Sequence, residues 1–337
     1  MNQTEQTHRD NLHSLINAAA ANLATQLVDH ELLIRRLYIA LLTGGHVLIE
    51  GPPGLAKTRS INRFAASVNA SFARVQSTPD LLPADITGTD LYQQNSGTFN
   101  FMEGPLFNNI VLVDEVNRAP PKVQSAMLEA MGERQVTTGG VSRKLAQPFM
   151  VAATQNPIEH EGTYPLPEAQ KDRFMFFIDV AMPDNHTERR ILDTVLNEQI
   201  QQSAALHDQQ HLHNADNEDI TLETILKAST AVTSVHLSDA VRDYIVRLVT
   251  ATRGHGLGGE QSSDVRHASS PRGSIFLANA AKANAWLEGR DFVTPEDVEL
   301  LATDVLAGRI ALQYRAIAEG ITQRDVIQRV VKATPKV

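Results

Sequence analysis

The sequence predicts an α/β protein: a parallel β-sheet sandwiched by helices, followed by a C-terminal α-helical domain. Three observations predict it. The apolar run His46-Val47-Leu48-Ile49-Glu50 passes through the turn Gly51-Pro52-Pro53-Gly54-Leu55-Ala56-Lys57-Thr58 into a helical run ending near Val68. Two further apolar runs, 109–113 and 149–153, alternate with helical patterns, as buried parallel strands do. After Met182-Pro183-Asp184 only helical periodicity remains, so a boundary is expected near 183, dividing 11–183 from 184–337.

Taken in order, residues 1–10 are polar and read as a disordered, frayed tail. Two helices follow between 11 and 42, broken near Val28-Asp29-His30, and Gly44-Gly45 stops the second. Beyond the strand–turn–helix unit, 72–76 is a short strand and 81–90 a turn with a short helix. The alternation and bounding glycines of 97–105 read as a hairpin. The run 109–113 is a strand. The helix 121–131 places Val123, Met127, Leu128 and Met131 on one face. Gly139-Gly140 marks a second hairpin at 135–147, before the strand 149–153 and a last strand at 174–180. Helices are then expected at 187–201, 222–234, 239–253, 271–288 and 295–313, and after Thr322. Residues 201–218 are rich in Gln, His, Asn and Asp. The loose spacing of His207, His211 and His213 reads as a solvated extension rather than a metal site.

Composition excludes several classes of function. The 337 residues are 42% hydrophobic and 20% charged, ordinary for a globular chain, and lack cysteine, so disulfide and thiol chemistry are absent. No signal-peptide core opens the sequence and no run of 18 apolar residues occurs. A cytoplasmic protein with no membrane contact is therefore expected. A net charge of −9 lacks the overall footprint of a duplex-binding protein, which makes nucleic acid an unlikely partner.

The residues that carry chemistry start with the loop Gly51-Pro52-Pro53-Gly54-Leu55-Ala56-Lys57-Thr58. Its backbone N–H groups and the following helix N-terminus suit phosphates; Lys57 would reach the β/γ-phosphates and Thr58 would hold Mg²⁺. Ala56 departs from the glycine expected before the lysine. The strand 109–113 ends in Asp114-Glu115. An apolar strand ending in two carboxylates is the second half of a nucleotide hydrolase: Asp114 for the Mg²⁺ shell, Glu115 for the attacking water. Asn156, after the strand 149–153, can both donate to and accept from the water or γ-phosphate.

Together these elements resemble the AAA+ ATPases, and within them the MoxR family. The resemblance is carried by Gly104-Pro105-Leu106-Phe107, Asp114-Glu115-Val116-Asn117-Arg118-Ala119, Ala153-Thr154-Gln155-Asn156-Pro157, Glu161-Gly162-Thr163-Tyr164-Pro165-Leu166-Pro167-Glu168-Ala169-Gln170 and Asp172-Arg173-Phe174. Ser270-Pro271-Arg272 and Val293-Thr294-Pro295-Glu296-Asp297 add the lid. It covers roughly 30–335 in order and spacing. The family's phosphate loop often carries Ala at the position of Ala56, whereas Lys171 replaces an apolar residue usual there. The resemblance implies an AAA+ P-loop core with a helical lid, ATP and Mg²⁺ as cofactors, and a homo-oligomeric, hexameric ring. It implies Asn156 as sensor 1, Arg173 as an arginine finger reaching the neighbouring subunit's γ-phosphate, and Arg272 as sensor 2. Arg173 reads alternatively as a structural partner of Glu168 or Asp172, and Arg272 as an exposed arginine. Arg118 has two readings, a subunit-interface residue near the nucleotide or an anchor for the helix after Pro120. Phe99, Phe101, Arg143 and Lys144 on the two hairpins are candidates for remodelling contacts, or the hairpins merely cover a sheet edge. By resemblance, the function is chaperone-like remodelling of partners bearing a von Willebrand factor A domain. A magnesium-chelatase motor subunit and a nucleic-acid-stimulated motor are the alternatives.

Overall fold

The computed structural model describes residues 3–27, 29–53, 55, 57–156, 163–207, 220–253 and 264–336. The chain opens with α1 (Gln3–Gln26) and α2 (Glu31–Thr43), the latter ended by Gly44 in the left-handed conformation. The helix thus starts within the stretch expected to be a frayed tail. The phosphate-loop unit is β1 (Val47–Glu50) and α3 (Lys57–Ser67), followed by β2 (Phe72–Gln76) and α4 (Pro83–Thr87). Next come β3 (Gly88–Gln93), β4 (Thr98–Glu103), β5 (Ile110–Asp114), α5 (Pro121–Glu133), β6 (Gln135–Thr138), β7 (Val141–Lys144) and β8 (Met150–Gln155). A short α6 (Glu168–Lys171) leads to β9 (Phe176–Asp179). The rest is α7 (Asn185–His207), α8 (Leu222–Thr233), α9 (Asp239–Ala251), β10 (Val265–His267), α10 (Pro271–Leu287), α11 (Pro295–Leu306), β11 (Ala311–Leu312), α12 (Tyr314–Ala318) and α13 (Gln323–Ala333). His211 and His213, with the rest of 208–219, lie outside the described residues.

Five strands form one parallel sheet in the order β2-β5-β8-β1-β9. Both faces are buried, which explains the continuous apolar runs. Along β1, β5 and β8 alternate residues belong to opposite layers. Val47, Ile49, Ile110, Leu112, Met150 and Ala152 pack with α1, α2, α3 and the lid helices. Leu48, Val111, Val113, Val151 and Ala153 pack with α5.

The first hairpin differs from the sequence expectation. Its strands are β3 and β4, paired from Gly88↔Glu103 to Gln93↔Thr98, so 97–105 supplies only the second strand. The second hairpin, β6–β7, turns at Gly139-Gly140 as expected. The helix expected over 295–313 stops at Leu306, where the chain tightens into a 3₁₀ turn and then pairs β11 with β10.

The N-terminal helices pack on the lid as well as on the sheet. Arg36 of α2, 1% exposed, donates to Asp304 of α11 at 2.8 Å. Arg324 of α13 donates to the other Asp304 oxygen at 2.9 Å, to the Phe177 carbonyl of β9 at 2.9 Å, and pairs with Asp179.

Candidate active site

Sheet order brings the chemistry together. β5, β8 and β1 are neighbours, so their carboxyl ends deliver Asp114-Glu115, Thr154-Gln155-Asn156 and the 51–58 loop to one edge. Ligands of open α/β sheets bind in that position. A cavity of about 610 Å³ opens there, lined by Lys57, Thr58, Arg74, Asp114, Glu115, Thr154, Gln155 and Asn156 among others.

Gly51 starts the loop where the backbone runs hard against β9: a Cβ would come within 2.5 Å of the Val180 carbonyl oxygen. Gly54 and Ala56 lie outside the described residues. Lys57 opens α3 and donates to the Gly51 carbonyl. Burial holds its ammonium below the usual lysine range, opposed by the carboxylates of Asp114, Glu115 and Glu50. The Thr58 hydroxyl donates to Asp114 Oδ2 at 3.1 Å.

Both Asp114 carboxylate oxygens accept hydrogen bonds. Arg74 donates to Oδ2 through Nε at 2.8 Å, with Nη2 also 2.8 Å from that oxygen, and Thr154 Oγ1 donates to Oδ1 at 3.0 Å. The same Thr154 oxygen accepts the backbone N–H of Glu115 at 2.9 Å. Glu115 is left-handed, φ 53° and ψ 51°, a conformation that costs a non-glycine residue about 1–2 kcal/mol. Its Oε2 accepts from Gln76 Nε2 at 3.3 Å and Arg118 Nη1 at 3.1 Å. Arg118 therefore reaches back to the acidic pair itself.

Hard oxygen donors, the Thr58 hydroxyl and the Asp114 carboxylate, meet at the edge of the cavity and match what Mg²⁺ takes. Gln155 lines the same cavity, and its buried Oε1 has no hydrogen-bond partner among the described residues. Asn156 is 6% exposed and also lines it. These features fit a Mg²⁺–triphosphate. A second cavity of about 470 Å³ shares Pro53, Leu55 and Arg59 with the first. Its walls include Leu27, Leu33, Ile178, Val180, Met182 and Ile191, with Asp29, His30, Asp179 and Glu188 also lining it, a largely apolar slot with a few polar groups of the character that suits a purine base.

Arg173 and Arg272 are not among the residues lining the 610 Å³ cavity. Arg173 lies against α5, where a Cβ on Gly132 would come within 2.0 Å of its Nη1. Ser270 caps α10 by accepting the Arg272 N–H at 3.1 Å, and the Arg272 side chain stands 3.4 Å from Asp172 Oδ2. On the hairpins, Phe99 is 70% exposed. Phe101 is not free, contrary to expectation: Arg143 stacks on it 3.8 Å from the ring centroid and pairs with Asp90 at 3.4 Å, tying the two hairpins together. Thr154, Arg74 and the apolar slot are features of this site that the sequence reading did not assign.

Residues 46–176 match the family model described as ATPase family associated with various cellular activities (AAA), and residues 260–330 match the AAA lid domain. The chain is 43% identical over 317 residues to a protein of Mycobacterium tuberculosis named Chaperone MoxR1, spanning 92% of this chain and 80% of that one. It is 39% identical over 326 residues to the uncharacterized protein YeaC of Bacillus subtilis, spanning 97% and 96%. Protein MoxR of Methylorubrum extorquens is 31% identical over 303 residues, 86% of each chain. The crystal structure of a "putative ATPase" from Cytophaga hutchinsonii superimposes with a TM-score of 0.88 at 39% identity, covering 99% of this chain and 98% of that one.

Proposed function

The chain belongs to the MoxR family of AAA+ ATPases, and from that premise we propose that it couples Mg²⁺-dependent ATP hydrolysis to chaperone-like remodelling of partner proteins, working as a homo-oligomeric, hexameric ring in the cytoplasm. The observation that carries the hydrolytic half is the meeting of Thr58, Asp114 and Glu115 at one sheet edge, with Thr154 bonded to both acidic residues. Bound ATP and Mg²⁺ supply the scissile phosphoryl group and the charge that neutralises it. Lys57 binds the β/γ-phosphates, while Thr58 and Asp114 hold the metal. Glu115 orients and deprotonates the attacking water, and Asn156 fixes that water against the γ-phosphate. The apolar slot takes the adenine. Arg173 completes the neighbouring subunit's site, a role supported by its place away from its own cavity. Arg272 acts from the lid on the subunit's own nucleotide.

The remodelling half rests on relatives, one of which is named a chaperone, and on the resemblance that suggests clients with a von Willebrand factor A domain. No helix among the described residues is long and apolar enough to cross a membrane. The alternative of a nucleic-acid motor is disfavoured by the net charge of −9. The deciding experiment is a pull-down with Glu115→Gln and ATP. That variant should bind ATP, hydrolyse it very slowly and retain a partner with such a domain. Undiminished turnover would remove the site assignment, and stimulation of the native protein by DNA in a salt-sensitive way would favour the motor reading.

A further inference from the structure

Asp172 stands immediately before Arg173, and three lid side chains converge on its carboxylate. Ser270 Oγ donates to Oδ2 at 2.8 Å, Arg272 Nη1 is 3.4 Å from the same oxygen, and Arg309 Nε is 3.4 Å from Oδ1. Arg309 is wholly buried. It donates to the carbonyls of Phe174 and Val305, and to that of Met175 at 3.3 Å, between the rings of Phe177 and Phe276. Burial pushes its guanidinium down to about 9, opposed by the Asp172 carboxylate. The lid therefore grips the chain on both sides of Arg173, by the carboxylate before it and the two carbonyls after it.

The grips differ in strength. Arg309 is buried and held by three backbone carbonyls; its Nε and Asp172 Oδ1 make no hydrogen bond among the described residues, so the two are joined as a buried ion pair that solvent does not screen. Arg272 stands at the same 3.4 Å separation but is half exposed, a pair that solvent weakens and that a phosphate can outcompete. The Arg173 guanidinium meanwhile rests on Gly132 of α5, where a Cβ would displace it.

We propose that Asp172 is a positioning residue for Arg173: through Arg272, Ser270 and Arg309, the lid sets how Arg173 reaches toward the neighbouring subunit. The inference rests on the reading of Arg173 as a finger acting in trans. Occupancy of one site draws Arg272 toward the nucleotide and off Asp172, while Arg309 keeps its hold. The carboxylate then re-seats, and Arg173 moves with it. One subunit's lid thus reports to the next subunit's catalytic centre.

Mixed rings test this. Acceptor subunits carry Arg173→Ala with Lys57 and Glu115 intact; donor subunits carry Glu115→Gln with Arg173 intact. Turnover in the mixture then comes from acceptor sites served by donor fingers. Asp172→Asn in the donor should lower kcat per assembled ring about tenfold, for a displacement smaller than the 1 Å that costs about 10²-fold. KM for ATP should not change, because the acceptor's binding residues are untouched. Asp172→Glu should retain most of the rescue. Arg272→Ala in the donor should also alter kcat, and the Asp172→Asn, Arg272→Ala donor should be no worse than Asp172→Asn alone, because both act through one contact. If native-Asp172 donors rescue and Asp172→Asn donors rescue equally per assembled ring, even with a lowered Tm, the proposal falls while the reading of Arg173 stands. If native-Asp172 donors give no rescue, the reading of Arg173 falls and takes the proposal with it.

Discussion

The hydroxyl of Thr58 lies 3.1 Å from Oδ2 of Asp114, joining the first turn of the helix after the phosphate loop to the end of a strand 56 residues later. Both oxygens are suited to one divalent cation. Thr58→Ala removes the proposed metal ligand without touching Lys57. The expected outcome is a Mg²⁺ midpoint for turnover raised about 10- to 100-fold, with nucleotide affinity in EDTA unchanged. Titrating Mg²⁺ at fixed ATP measures this. An unchanged Mg²⁺ midpoint would sink the assignment of Thr58 to the metal.

Thr154 should matter nearly as much as the residues it holds. Its side chain is 3% exposed, bonds Asp114 Oδ1 and accepts the Glu115 N–H, so it keeps the left-handed Glu115 in place. Thr154→Val keeps the shape and removes both bonds. A loss of about 10- to 100-fold in kcat is expected, with KM for ATP little changed, and Thr154→Ser should restore most of it. Destabilisation of about 1–3 kcal/mol should accompany the Val change, because Asp114 and the Glu115 N–H lose a partner. Equal kcat for Val and Thr, from steady-state assays, would refute the role.

That residue also shows where legibility ends. The loop 51–58 and the pair Asp114-Glu115 could be found from sequence because each is contiguous, and the buried strands because both sheet faces are covered. Thr154 acquires its job only from the order β5-β8, which no local pattern encodes. Arg74 reads as an outward residue of a strand until β2 is laid beside β5. The apolar slot is made of residues that look like core, Leu27, Leu33 and Ile178 among them. β10 and β11 are too short for periodicity to register, and Leu91 and Tyr92 were hidden in a segment punctuated by Pro83 and Gly88, which concealed β3. Arg309 looked like one more helical cation, whereas the chain leaves the helix at Leu306 and turns that side chain inward.

His46 should make stability fall in mild acid. It is wholly buried: Nδ1 accepts the Val151 N–H at 3.0 Å and Nε2 faces the Met131 carbonyl at 3.3 Å. Burial pushes its pKa from 6.5 down to about 4, with Arg134 adding slightly and the Met131 carbonyl opposing. Between those values the unfolded chain binds a proton that the folded chain does not, so stability is full above pH 6.5 and declines as pH falls toward 4. The whole effect is about 3 kcal/mol. Denaturant melts from pH 7 to 4 should show this decline, and His46→Gln should flatten it. A native slope unchanged by the substitution would place the acid sensitivity elsewhere.

The pair Arg36–Asp304 supports the last prediction. Asp304, 6% exposed, receives Arg36 from α2 at 2.8 Å and Arg324 from α13 at 2.9 Å. Arg324 in turn grips the Phe177 carbonyl and Asp179 of β9, so one carboxylate joins the N-terminal helices, the lid and the sheet. Burial pulls the Arg36 guanidinium below its usual range, with Asp304 opposing that shift, so the cation depends on its partner. Asp304→Ala removes the carboxylate partner of Arg36, 1% exposed, and leaves Arg324 with Asp179 and the Phe177 carbonyl. A buried charge left without its partner costs about 3–5 kcal/mol, which for a chain of this size lowers Tm by roughly 10 °C. Replacing Arg36 by Met as well removes the stranded cation and should recover part of that loss, the remainder staying with Arg324. Thermal melts of the single and double variants read both effects. A double variant less stable than Asp304→Ala would mean that Arg36 contributes through its packing rather than through the pair.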